Sequence, residues 1–164
     1  MESQWLTEDD RVRMTRELAR LQAEYDRLDF GLPQGVIHGD ANIGNVLRDH
    51  RDNPVVIDLD DFATGPREWD LIQTAIYYDR FGWHTRQEHE TFARIYGYDL
   101  PQWPGYPVLA AVHEFIIVTW MILKAGEGER ISAEARKRLL ALRSGASRKD
   151  WNPTRKGFSP SKFA

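Results

Sequence analysis

The chain contains no cysteine. This excludes a disulfide framework, a thiolate nucleophile and a thiolate metal site, and it fits a reducing compartment, so a cytoplasmic location is expected. No run approaches the eighteen apolar residues of a membrane-spanning helix, and no apolar h-region is found near the N-terminus. The longest apolar-rich stretch, Val108 to Leu123, carries His113, Glu114 and Thr119 and reads as a buried core helix rather than a span. Neither an internal repeat nor a low-complexity segment is present. Lysine is scarce early on, the first being Lys124.

What is present suffices for a core. Of 164 residues, 41% are hydrophobic and six are tryptophan, enough to bury one domain, expected over 1–145. The net charge of −3 is unevenly placed: residues 1–135 carry −11 and residues 136–164 carry +8. An acidic body would favour a cationic substrate and a basic tail a polyanion. Acidic helix surfaces and a basic last helix suited to its dipole explain the same numbers. No nucleic-acid-binding motif or aromatic platform accompanies the tail, so a nucleic-acid partner is not expected.

The rest is organised around Val36-Ile37-His38-Gly39-Asp40-Ala41-Asn42-Ile43-Gly44-Asn45-Val46-Leu47 and its echo, Val55-Val56-Ile57-Asp58-Leu59-Asp60-Asp61-Phe62. In each, a β-branched run ends in acidic or amide side chains. Polar residues just past a strand face a crevice, because the strand fixes them and the loop exposes them. The set suits phosphoryl transfer, which needs a carboxylate to orient and accept the proton of a hydroxyl, and oxygen ligands for Mg²⁺. Asp40 is the candidate base, Asn45 a neutral oxygen ligand and Asp58 an anionic one. Asp60 is a further ligand or a supporting group, and Asp61 a solvated or capping carboxylate.

His38-Gly39-Asp40-x-x-x-x-Asn45 resembles the catalytic loop of the aminoglycoside phosphotransferase and choline kinase-like family. Ile57-Asp58-Leu59-Asp60 resembles that family's metal-binding segment, and Gly65-Pro66-Arg67-Glu68-Trp69-Asp70-Leu71 the segment whose aspartate braces the loop from a helix. The resemblance implies Asp40 as base, Asn45 and Asp58 as Mg²⁺ ligands, His38 as loop support and Asp70 as brace, with ATP or GTP as donor. It implies an α+β, mainly helical fold, the C-terminal lobe of a protein kinase-like architecture with a small β-ribbon carrying the site. The N-terminal lobe of that architecture has no counterpart here: 37 residues precede His38, most of them in one helix pattern, with no Gly-rich loop and no strand lysine. Three explanations fit: a fragment of a longer kinase, one half of a split enzyme, or a degenerate relative that binds without catalysing. The expected partners are a hydroxyl acceptor and, for a split enzyme, an N-terminal lobe supplied by another chain or by self-association. On its own the chain is expected to be weakly active or inactive. The alternatives are an inactive regulatory pseudo-kinase lobe and a metal-dependent phosphohydrolase using Asp40, Asp58, Asp60 and Asp61, with His50 the only other nearby histidine.

Around this centre the periodicity predicts a helix over 7–28, capped at Thr7, with Met14, Leu18, Leu21, Tyr25 and Leu28 on one face. Val46–Arg48 and Pro54–Asp58 read as an antiparallel ribbon turning at Asp49–Asn53. Ala63–Pro66 reads as a loop. A helical layer over 67–144 follows: one helix to about Arg80, a second from His84 or Thr85 to Tyr96 ending at Gly97, a third over Val108–Ala125, and a last one over Ala133–Arg143 capped by Ser132. Its inward residues are expected to be Ala135, Leu139, Leu140 and Leu142. Trp103 and Tyr106 are expected to cover the core, and His113 and Glu114 to be satisfied interior groups. Residues 146–164 read as a basic, mobile tail pinned at Trp151 and Phe158.

Overall fold

The computed structural model describes residues 6–153. These residues are mainly helical, with five α-helices and two small two-stranded antiparallel sheets, as an α+β class requires. They form two compact units: residues up to Asp29 with Pro107–Trp151, and Phe30–Tyr106.

In the first unit, α1 (Glu8–Tyr25) starts at a capping box. Asp10 N donates to Thr7 Oγ1 at 3.1 Å, and Thr7 N donates back to Asp10 Oδ2 at 3.1 Å, so two otherwise orphaned donors are satisfied. The helix stops at Tyr25, and residues up to Leu28 continue as turns. Leu21 is buried, but Leu18 is 53% exposed, so the apolar face is narrower than its spacing suggests. Asp10 also pairs with Arg143 of α5 (Glu129–Ser144). Burial alone would raise the Asp10 pKa, but the Thr7 hydrogen bonds and the Arg143 charge outweigh it and lower the value. A lowered carboxyl stabilises the fold above its unfolded pKa, near 4, and that contribution is lost as pH falls through the folded value. The stability difference between the wild type and Asp10→Asn should therefore be clear at pH 7 and shrink towards pH 3 in urea unfolding. A pH-independent difference would show that the carboxylate charge is not what acts.

Helix α4 (Tyr106–Leu123) is long and apolar enough to cross a membrane by length and composition. It carries its polar groups inside: His113 is buried, and Glu114, 2% exposed, pairs with Arg148 at 3.2 Å. Such pairing is how a core helix tolerates a carboxylate, and it matches the reading of both as interior groups. Met121 packs with Ala125, Ala135 and Ile131.

Helix α5 differs from expectation. It begins one turn early, after Gly128 at φ 149°, and Ser132 lies inside it, donating to Ala125 O rather than capping. Leu140 is 58% exposed, while Arg138 is buried with Glu134 at 2.9 Å. The Arg138 guanidinium lies 5.0 Å from the centre of the Trp151 ring, which is itself buried. Trp151 is thus pinned as expected; Phe158 lies outside the described residues.

In the second unit, β1 (Gln34–Ile37) pairs with β4 (Ala63–Pro66), and β2 (Val46–Arg48) with β3 (Pro54–Val56). The ribbon turns where Asp49 Oδ1 accepts from Arg51 N (2.8 Å) and Asn53 N (2.9 Å). Its second strand ends at Val56, two residues short of Asp58. Ala63–Pro66 is a strand and not a loop: Gly65 faces Gly35 across the pair, and a Cβ at Gly65 would lie 3.0 Å from Ile37 Cδ1. The glycine serves close packing. Helix α2 (Glu68–Asp79) buries Leu71, Ile72, Ala75 and Ile76, each side chain contributing on the order of 1–3 kcal/mol of burial free energy. Helix α3 (Arg86–Tyr96) has a second capping box, Thr85 with Glu88, and ends at Gly97 in the left-handed region (φ 85°). Trp103 stacks on Phe30 at 5.5 Å, and Tyr106 Oη donates to Asp79 at 2.9 Å, so both aromatics cover the core.

Candidate active site

The site is the loop between β1 and β2, and α2 holds it. Asp10, Glu88 and Asp70 all occupy the third position of their helices. The first two reach back to cap their own helix, as an acid there usually does. Asp70 does not. Its Oδ2 accepts from His38 N at 2.7 Å and its Oδ1 from Gly39 N at 3.0 Å. Trp69 Nε1 donates to Gly39 O at 2.9 Å, so one helix start holds both polar groups of the Gly39 backbone. Gly39 has φ 85°, and a Cβ there would lie 2.6 Å from Asp61 O. No other residue fits such a turn and approach.

His38 is buried and bridges the two segments. Its Nε2 lies 2.9 Å from Ile57 O and its Nδ1 accepts from Asp40 N at 3.3 Å, a pattern satisfied by the Nε2-protonated tautomer. Ile57 N donates to Asn45 O at 2.9 Å, which ties the Asp58 segment to the loop.

Asp40 is oriented by amides. Gln73 Nε2 donates to its Oδ1 at 2.7 Å, Asn42 Nδ2 to the same oxygen at 3.1 Å, and Asn45 Nδ2 to Oδ2 at 3.1 Å. Tyr77 Oη donates to Gln73 Oε1 at 3.2 Å and fixes that amide. The motif reading did not include Gln73. Its signal was a polar residue among Leu71, Ile72, Ala75 and Ile76, one turn after Asp70, where a buried amide needs partners. Asn42 was likewise missed; its Oδ1 accepts from Gly44 N at 2.9 Å and starts the single turn that ends at Asn45.

Asp58 is one of two non-glycine residues with positive φ, at 64°, among the described residues. Aspartate tolerates this region better than most residues, yet the conformation is uncommon enough to mark a site. Asp60 and Asp61 lie in the exposed turn closed by Phe62 N on Leu59 O at 3.2 Å. Asn45 and Asp58 offer oxygen donors, the ligand type that Mg²⁺ takes. No three His, Asp or Glu side chains gather as a metal cluster among the described residues.

A family model described as phosphotransferase enzyme family matches residues 2–112. The chain belongs to that family. The match spans the loop, the Asp58 segment and the Asp70 helix, in agreement with the resemblance that their motifs carry. No curated protein and no solved structure gives a match. Membership makes phosphoryl transfer the general chemistry, and members of the phosphotransferase family generally use ATP and Mg²⁺.

Beside the loop lies a cavity of about 770 Å³, reached by Ala41, Asn42 and Asn45 on one side and by side chains of α2 and α3 on the other. Its volume is that of a small-molecule site. His84 on its wall has its pKa pushed down by burial, which favours the neutral imidazole.

Proposed function

We propose that this chain is the C-terminal, kinase-like lobe of an enzyme that transfers the γ-phosphoryl group of ATP (or GTP) to a hydroxyl of a small molecule. The observation that carries this reading is the Asp40 carboxylate, held by three amide donors in a loop that Asp70 fixes from behind. Asp40 orients the attacking hydroxyl and accepts its proton. Phosphoryl transfer needs positioning more than basicity, and a carboxylate restrained on both oxygens suits that need. Asn45 and Asp58 would hold Mg²⁺, with Asp60 available as a further ligand; an ion held there would supply positive charge against that of the phosphates. His38 and Asp70 support the loop.

A nucleotide-covering lobe is proposed to complete the site. The ribbon favours this, since Leu47 is 51% and Val56 50% exposed beside the site, an apolar surface suited to a partner.

Calorimetric titration with Mg²⁺ and ATP tests the reading. Asp58→Asn is the informative variant, because asparagine also tolerates the left-handed backbone. Mg²⁺-dependent ATP binding weakened at least about tenfold in the variant is the expected result. Equal binding by both proteins would remove Asp58 from the site, and binding by neither would mean that this lobe alone is no nucleotide site.

A further inference from the structure

The cavity beside the loop carries information about the acceptor. Its far wall is aromatic: Tyr77, Trp83, His84, Phe92 and Tyr96, faced by Phe62. Among the described residues no lysine or arginine lines it, so nothing on these walls offsets a carboxylate or phosphate on a ligand. Two acids do line it, Asp70 and Glu88, but both are engaged. Asp70 holds His38 N and Gly39 N, and Glu88 Oε2 accepts from Thr85 N at 2.7 Å and Thr85 Oγ1 at 2.8 Å to close the start of α3. Drawing either onto an amine would break a backbone anchor or a helix cap.

The aromatic rings do not form an open cage for a cation. Tyr77 packs against Trp83 at 4.9 Å, His84 at 5.4 Å and Phe81 at 6.0 Å. Phe92 stacks on Tyr96 at 5.9 Å, and the Arg67 guanidinium already sits 5.5 Å from the Tyr96 ring centre while donating to Tyr96 Oη at 2.8 Å. A second cation at that ring would meet like charge. The remaining recognition is apolar contact and ring stacking, with neutral His84 as an uncharged polar point, since the Asn42 and Asn45 amides already hold Asp40.

We propose that this cavity takes a neutral, largely apolar alcohol with a flat ring system as phosphoryl acceptor, and not a polyamine or an anionic sugar derivative. The acceptor role rests on the phosphotransferase reading above; the ligand class rests on the cavity wall alone. An acidic chain average pointed to a cationic substrate, but the acids of this wall are spent within the fold.

The test is a ¹H–¹⁵N NMR titration of the full chain with three probes: 2-naphthaleneethanol, the polycationic amino sugar kanamycin, and ATP with Mg²⁺. The naphthyl alcohol is expected to shift the Trp83 indole resonance and to bind at least about tenfold more tightly than kanamycin. Thr74→Trp, which fills the cavity from α2, should weaken the alcohol about tenfold or more, and Phe92→Ala, on the more exposed wall, about fivefold. Kanamycin binding as tightly as the alcohol, or alcohol binding untouched by both variants, would overturn the proposal. So would displacement of the alcohol by ATP, since the cavity would then belong to the nucleotide. Binding of ATP without the alcohol overturns the ligand class and leaves the enzyme reading standing. Binding of the alcohol without ATP supports the ligand class and shows that this lobe alone is no nucleotide site.

Discussion

Asp70→Ala should release the loop before it unfolds anything else. The variant removes the acceptor for two backbone donors, His38 N at 2.7 Å and Gly39 N at 3.0 Å. Hydrogen bonds to a charged partner contribute roughly 1.5–3 kcal/mol each, and a donor left unsatisfied in a partly buried site pays its desolvation cost in full, so a loss of about 3 kcal/mol is expected. The loss is local at first. Native-state hydrogen exchange at the His38 and Gly39 amides should accelerate by about two orders of magnitude, while amides of Ile72 and Ile76 in the same helix keep most of their protection. Asp70→Asn retains one acceptor oxygen and sets an NH₂ against the other donor, so it should fall between. Unchanged exchange at His38 and Gly39 in the alanine variant would mean that β1 and Gly39's contact with Asp61 hold the loop without the brace.

The position of Asp70 also shows what was legible in the sequence. The spacing from His38 through Asn45 to Asp58, and the helix start at Trp69-Asp70, placed the loop, the ribbon and the brace, because each depends on local chemistry: β-branched runs, turn residues and an acid in a first helical turn. Long-range partners left no such mark. Ala63–Pro66 has glycine and proline, which read as a loop; it is a strand only because β1 lies opposite and needs a residue without a side chain at Gly65. Arg138 was not among the residues expected inward on the last helix, and it is interior because Glu134 and Trp151 meet it there. The same buried slot turns Leu140 outward. Gln73 was one polar residue on an apolar face, and nothing local told that its partner would be Asp40, 33 residues away.

In any preparation that transfers phosphate from ATP, Asp40→Ala should lower kcat by about three orders of magnitude, the scale of a positioned proton acceptor, and leave nucleotide affinity within about threefold. The split follows from the geometry. Asp40 is restrained by Gln73, Asn42 and Asn45, whereas the tie to the Asp58 segment runs through the Asn45 backbone carbonyl, which the variant does not touch. Asp40→Asn should behave differently. Three amide NH₂ groups point at the carboxylate, so a fourth amide must set donor against donor at one oxygen position. The cheapest relief is rotation of the Asn45 side chain, whose Nδ2 also donates to Asp40 O at 2.9 Å. That rotation would redirect the oxygen proposed for Mg²⁺. Asp40→Asn is therefore expected to lose both kcat and Mg²⁺-dependent nucleotide affinity, where Asp40→Ala loses kcat alone. Steady-state kinetics beside calorimetry separate the two. If both variants kept the wild-type kcat, Asp40 would be a loop anchor, and the proton of the attacking hydroxyl would have to leave by another route.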